Sequence, residues 1–411
     1  METYSQHHLP LILLHLIFIP IIFTACGASP LSTFRAYVAD PDAVADDVHR
    51  SIENSTAHAA MRRRYLGEKN KSCLTGNPID DCWRCDPHWE KNRKRLADCA
   101  IGFGKLARGG VDGEIYVVTT SEDSDDYRNP EPGTLRYAAM SKKPLWIIFA
   151  RNMKFRLKRH ILLESFKTID GRGHHIEFDG GKCIASRFAT NIIIHGLVIH
   201  NCEQRIMDGD GIQIFRGTHI WIDHNTLWNC SDGLIDVTFG STPITISNNH
   251  LTRHNKVMLL GHNDNFRLDK KMQVTIAFNH FGEGLIQRMP RCRNGYFHVV
   301  NNDYTRWGLY AIGGSAAPTI NCRGNRFTAP DYRFHKEATK RPFVKMSEWK
   351  HWNWRSVGDE FLNGAFFTPS GSQTYLGHYE KAWSTNAKPA SWVASITADA
   401  GVLKCDKNSH C

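Results

Sequence analysis

Short apolar runs with polar residues at every second position recur through the middle of this chain, the pattern of half-buried strands. The first are EIYVVTT (114–120), PLWIIFA (144–150), HILLES (160–165) and KTIDGRGHHIEFDG (167–180). From Thr190 the runs become a repeat. NIIIHGLVIHNC (191–202) aligns with HIWIDHNTLWNC (219–230) at an offset of 28. PITISNNHL, QVTIAFNHF, YFHVVNNDY and PTINCRGNRF continue the theme from residues 243, 273, 296 and 318. Asn225, Asn249, Asn279, Asn302 and Asn325 recur within them at intervals of 24, 30, 23 and 23.

A coil of this length cannot bury its own apolar side, whereas stacked coils bury one another. The pattern therefore predicts an all-β, right-handed parallel β-helix. The repeated Asn is expected at a turn, in the left-handed conformation that Asn tolerates, with stacked copies forming a side-chain amide ladder. A leucine consensus or a propeller-length repeat is absent from the sequence. Residues 27–76 read as a polar N-terminal extension containing one helix, and Asp81–Cys99 as a second helical stretch. Residues 77–411 read as the β-helix domain, closed by a loop-rich C-terminal segment.

Composition narrows the partners. Lys and Arg number 51 against 41 Asp and Glu, so a polyanion is the natural ligand. The apolar stretch Leu9–Ala25, followed by small residues, reads as a signal peptide over residues 1–26. Secretion disfavours nucleic acid and makes disulfides plausible. An anionic membrane surface and an acidic polysaccharide stay open as partners, with no stable membrane insertion and a monomer as the default. Asn54 and Asn70 stand in glycosylation acceptor sequences, whereas Asn229 is expected to be buried or blocked.

Candidate chemistry gathers on the repeat. Asp208, Asp232 and Lys256 follow one another at intervals of 24, and Arg288 comes 32 later. These steps are expected to place the four in one column on one face. Asp210 and Asp236 lie two and four residues from their neighbours, which on a strand means the same side. Clustered carboxylates call for a compensating cation and suit Ca²⁺ with its six to eight oxygen ligands. A turn-capping role for the Asp-Gly segments is the alternative. The histidines at 224, 250, 254, 262 and 280, and the aromatics at 307, 310, 349, 352 and 354, are read as structural.

The segments NPIDDCWR (77–84), LADCAIGFG (96–104), DGDGI (208–212), WIDHN (221–225), VMLLGH (257–262), NHFGEGLIQRMPRCRNGYFHVVNNDY (279–304) and YAIGGSAAPTIN (310–321) resemble the plant pectate lyases of polysaccharide lyase family 1, including the related pollen allergens. The likeness is strong over residues 77–330. It implies calcium-dependent β-eliminative cleavage of polygalacturonate. Position by position, it implies Asp208, Asp232 and Asp236 as calcium ligands, with Asp210 as an additional one. Arg288 would be the base, and Lys256 and Arg293 would bind substrate carboxylates, while Arg291 reads as structural or a general polyanion contact. An arginine base needs a deprotonated fraction, so an alkaline optimum is expected. The resemblance also implies disulfides Cys82–Cys99, Cys183–Cys202 and Cys405–Cys411. It leaves Cys73, Cys85, Cys230, Cys292 and Cys322 unassigned, with Cys230 and Cys292 as candidates for buried core. A hydrolase on the same fold and a non-catalytic pectin binder are the competing readings. The basic loop 262–271, with Arg306 and Gly308, bears on the second.

Overall fold

The alternating runs form three parallel sheets that the chain visits in turn, coil after coil, in a right-handed parallel β-helix. One full coil comprises strands Thr218–Asp223, Thr226–Trp228 and Gly233–Thr238, and the next comprises Ile244–Ser247, His250–Thr252 and His254–Leu260. In this computed structural model the described residues are 73–123, 126–204, 209–407 and 409–411, all within one compact unit, Val38–Cys411. The signal segment, Asn54, Asn70, nearly all of the extension, and Asp208 lie outside the described residues. Among the described residues no helix is long and apolar enough to cross a membrane.

Register explains the core. Ile169, Ile194, Ile222, Ile246 and Ile276 stand directly over one another and are fully buried. Each buried isoleucine contributes about 2 kcal/mol by leaving water. On the sheet that follows, Phe281, Tyr304, Phe327 and Phe361 stack with ring centroids 4.7, 4.5 and 5.4 Å apart. At the corner between these sheets the ladder forms. Each Asn Nδ2 donates to the next Asn Oδ1 at 2.9–3.0 Å from Asn225 to Asn325, and Asp359 accepts the last bond at 2.9 Å.

The ladder corrects one expectation. The left-handed residue is not the ladder Asn but the one before it: His224, Asn248, Phe278, Asn301 and Gly324 have φ of 52, 52, 57, 53 and 62°. The ladder amides are consumed by bonds along the stack and to strand carbonyls, as in Asn225 Nδ2 to the Ile194 carbonyl at 3.1 Å. The bend itself falls one residue earlier.

The ten-strand sheet running from Glu114–Val118 to Trp354–Val357 is covered on both sides. Its outward Trp146, Ile193 and Trp221 pack under Ile79, Trp83, Trp89 and Leu96 from the N-terminal segment and Ile396 from the C-terminal one. His224 bridges Asp80 Oδ1 (2.8 Å) and the Gly401 carbonyl (2.9 Å), tying both ends to the helix wall. The stretch 81–99 is not one helix. It is a short helix Asp80–Trp83, turns, and a 3₁₀ segment Arg93–Cys99, because Pro87 disfavours helical backbone at Asp86. The three implied disulfides are present, with a fourth joining Cys73 to Cys85. Cys230, Cys292 and Cys322 are free and buried. Asn229 is exposed rather than buried. It occupies a left-handed corner (φ 49°) and donates its amide to Asn201 Oδ1 at 2.8 Å.

Candidate active site

With one sheet covered, the sheet containing Ile212–Phe215, Gly233–Thr238, His254–Leu260, Leu285–Gln287, Arg291–Arg293 and Ile312–Ser315 presents an open outer face. Its inward residues Ile212, Ile235, Met258 and Cys292 are fully buried. Strand alternation therefore turns Gln213, Asp236, Leu259 and Arg291 outward in one row.

Three of the anticipated carboxylates meet here. Asp210 accepts the Gly233 N–H at 2.7 Å and the Gln213 amide at 3.0 Å, so turn capping is part of its role. Asp236 accepts the Leu259 N–H at 3.0 Å. A side chain at Gly233 would strike the Asp236 carboxylate and come within 2.9 Å of Asp210 Oδ1, so only glycine lets these acids converge. Burial pushes the Asp210 carboxyl up, with the Gly233 N–H opposing and Asp232 adding to it. Burial and then the Asp210 charge push Asp236 well above the ordinary range. Lys256 Nζ donates to Asp232 Oδ1 at 2.9 Å. Beside that pair lies an open groove of about 490 Å³ lined by Cys230, Ser231, His254, Lys256 and Ile286 among others.

The expected 24-residue column is one residue out. Lys256 stands opposite Gly233 and Gln287, a step of 23 and then 31. The ladder corner advances by 24, as Thr226 opposite His250 shows, but the following corner is one residue shorter in the Lys256 coil. Lys256 still reaches Asp232 because its side chain is long. Arg288 is not on a strand. It follows Gln287 in left-handed backbone (φ 67°), and its carbonyl accepts the Met258 N–H at 2.8 Å. That conformation is unfavourable for a bulky residue and is held here by the neighbouring coils. The buried Tyr310 hydroxyl faces Arg288 and Arg291. Burial raises its pKa, and the two guanidinium groups pull it back.

Arg293 is already engaged. Its Nε donates to Asp264 Oδ1 (3.1 Å) and its Nη1 to the carbonyls of Gly261 (3.2 Å) and His262 (3.0 Å). Loop 262–271 is thus anchored over the basic end of the face. Asp269 secures its other side by accepting the His262 N–H at 2.6 Å and the Gly240 N–H at 2.8 Å.

The histidines behave as structural groups: His254 meets the Asp232 carbonyl at 2.6 Å, and His250 stacks on His280 at 5.0 Å. Trp307, Tyr310, Trp352 and Trp354 are buried, and Trp349 packs on the core. Arg306 pairs with Asp331 at 2.5 Å on the surface. Glu177, Asp179 and His200, on the outer face of the third sheet, also have ligand atoms within 4.8 Å of one another. Lys154 already supplies a cation there, 2.5 Å from Asp179 and 3.5 Å from Glu177.

The family model for pectate lyase matches residues 152–403. The chain belongs to the pectate lyase family. It is 58% identical over 399 residues to probable pectate lyase 5 of Arabidopsis thaliana, covering 93% of this chain and 95% of that protein. It is 57% identical over 387 residues to a pectate lyase of Zinnia elegans, covering 90% and 94%. The crystal structure of jun a 1, the major allergen from cedar pollen, superposes with a TM-score of 0.76 at 46% identity, covering 80% of this chain and 99% of that one. A pectate lyase from Bacillus sp. N165 in complex with trigalacturonate shares the fold, with a TM-score of 0.59 at 23% identity, covering 74% and 98%. The chain is therefore an enzyme of the pectate lyase class, with its acidic and basic groups gathered on one open sheet.

Proposed function

We propose that this enzyme cleaves de-esterified galacturonan by calcium-dependent β-elimination on the open sheet, releasing unsaturated oligogalacturonides in the cell wall. The observation that carries this is the meeting of Asp210, Asp232 and Asp236 around Gly233, with Lys256 the one cation paired to them among the described residues. Such a cluster is relieved either by holding a proton, as the raised Asp210 and Asp236 carboxyls show, or by a further cation. Hard oxygen donors at this density fit Ca²⁺, which these three, with Asp208, would hold. When bound, calcium draws electron density from the uronate carboxylate and so acidifies C5.

The chain's own groups do the rest. Arg288 takes the C5 proton, the C4–oxygen bond breaks, and the electron pair forms the double bond. The departing glycosidic oxygen receives a proton from water. Lys256 and Arg293 offset the negative charge that builds on the carboxylate in the transition state. Secretion is in keeping with four disulfides, which persist in oxidising surroundings. Glycosylation at Asn54 and Asn70 and action as a monomer belong to the same reading.

The test is to follow the ultraviolet absorbance of unsaturated product from polygalacturonate, with calcium and with chelator, in wild type and Arg288→Ala. A calcium-dependent rise that the substitution abolishes supports the mechanism. New reducing ends without that absorbance would mean hydrolysis instead.

A further inference from the structure

Arg291 sits between the proposed base and Arg293; like Arg288 it has a buried Nε without a partner, whereas Arg293 has its donors engaged. Cys292 next to it is fully buried in the core, so alternation turns Arg291 to the open face. It stands in register with Leu259, and through it with Asp236, on one side and with Gly313 on the other. Gly313 offers no side chain, and the space its Cβ would take is filled by the Tyr310 ring, whose Cζ lies 2.9 Å away.

The donors of Arg291 are almost unused. Its Nε is buried without a hydrogen-bond partner, and its one side-chain bond is a long contact from Nη2 to Ser315 Oγ at 3.4 Å. The Ser315 hydroxyl is itself committed to Asp264 at 2.6 Å. Among the described residues no ion pair forms at Arg291, whereas Asp264, an acid whose charge reaches it, is paired to Arg293. Burial lowers the Arg291 pKa, and the adjacent Arg293 and Arg288 charges lower it further. A guanidinium has five donors in a fixed fork, and leaving one buried and unmet is costly. The missing partner is a planar anion that takes two parallel N–H bonds, which is what a carboxylate provides.

We infer that Arg291 is a carboxylate-recognition residue for a galacturonate unit bound next to Arg288, while Arg293, besides offsetting charge at the reacting carboxylate, holds loop 261–264. This rests on the pectate reading above and names a residue within it. The consequence is specificity: a methyl ester has no charge and cannot accept the charge-assisted pair, so Arg291 contributes to preference for unesterified chain.

The test uses the full-length protein and its Arg291→Gln, Arg291→Lys and Arg293→Gln variants. Steady-state constants are measured on polygalacturonate and on partly methyl-esterified pectin, with melting temperature as a control for folding. Arg291→Gln is expected to raise KM for polygalacturonate about tenfold with little change in kcat. It should shrink the preference for unesterified substrate by a similar factor, and Arg291→Lys should restore part of both. Arg293→Gln is expected to lower the melting temperature by releasing the loop. Unchanged KM and ester preference in Arg291→Gln would overturn the assignment. So would finding that Arg293→Gln, and not Arg291→Gln, erases the ester preference. Should the wild type show no elimination at all, the parent reading fails on its own. Retardation in polygalacturonate-containing gels then decides the Arg291 contact by the same contrast.

Discussion

Acids withdrawn from water on neighbouring walls of the same solenoid have opposite fates. On the covered sheet, Asp170 accepts from Arg172 (2.8 and 2.7 Å), Arg93 (3.1 Å) and the Trp146 indole (3.0 Å). Burial alone would raise its pKa, but Arg172 and Arg93 hold it far below the ordinary carboxylate range. On the open sheet, burial raises Asp210 and Asp236, and each raises the other or is raised by Asp232. A buried acid with matched cations fastens structure together. One that lacks them costs stability, and where it lies on an open face beside other acids it marks a candidate place for a ligand.

Substitution should separate the two with opposite signs. Asp170→Asn leaves two buried guanidinium groups without their charge partner and should cost about 3–5 kcal/mol of stability, read as a large fall in melting temperature. Asp236→Asn keeps the acceptor for the Leu259 N–H while removing repulsion. In chelator its melting temperature should stay level or rise, whereas with calcium present elimination should be about a hundredfold below wild type. A fall in stability for Asp236→Asn matching that of Asp170→Asn would break the comparison. Arg288→Ala should cut kcat about a thousandfold at unchanged melting temperature, which places the reaction on the open wall.

Much of this was legible in the chain. The offset of 28 between 191–202 and 219–230 is the true register, with Ile192 opposite Ile220. The Asn intervals mark real rungs, because one amide in each coil does the same work. The site was harder to read. Intervals measured at the ladder corner do not carry to the next corner, where one residue is lost, so Lys256 was placed one step off. Arg288 reaches the face from a left-handed bend that no periodicity reveals. Asp359 ends the ladder 34 residues beyond Asn325, too far for the repeat to point to it. The sequence reads Arg291 only as structural or a general polyanion contact; which arginine the loop engages depends on Asp264, which folding alone brings to Arg293.

Asp359 gives a gentler test of the same principle. It is half-buried and lacks an ion pair among the described residues, and desolvation of its carboxyl lifts its pKa to about 6, against the lowering by Ser356 and Asn325. The folded state therefore holds its proton where the unfolded chain has lost it. Its contribution is intact below about pH 4 and is lost as pH rises to about 6. Asp359→Asn should flatten the stability profile across that window and raise stability at neutral pH by up to about 3 kcal/mol. A wild-type profile already flat between pH 4 and 6 would remove this example.

The most direct measurement is calcium titration by calorimetry, paired with thermal melts, on wild type and Asp236→Asn. The account predicts that wild type binds calcium and gains about 2.7 kcal/mol of stability at a hundredfold excess over Kd, and that Asp236→Asn loses both. Equal calcium binding and stabilisation in the two proteins would contradict the claim that the unpaired acids of the open sheet form the metal site.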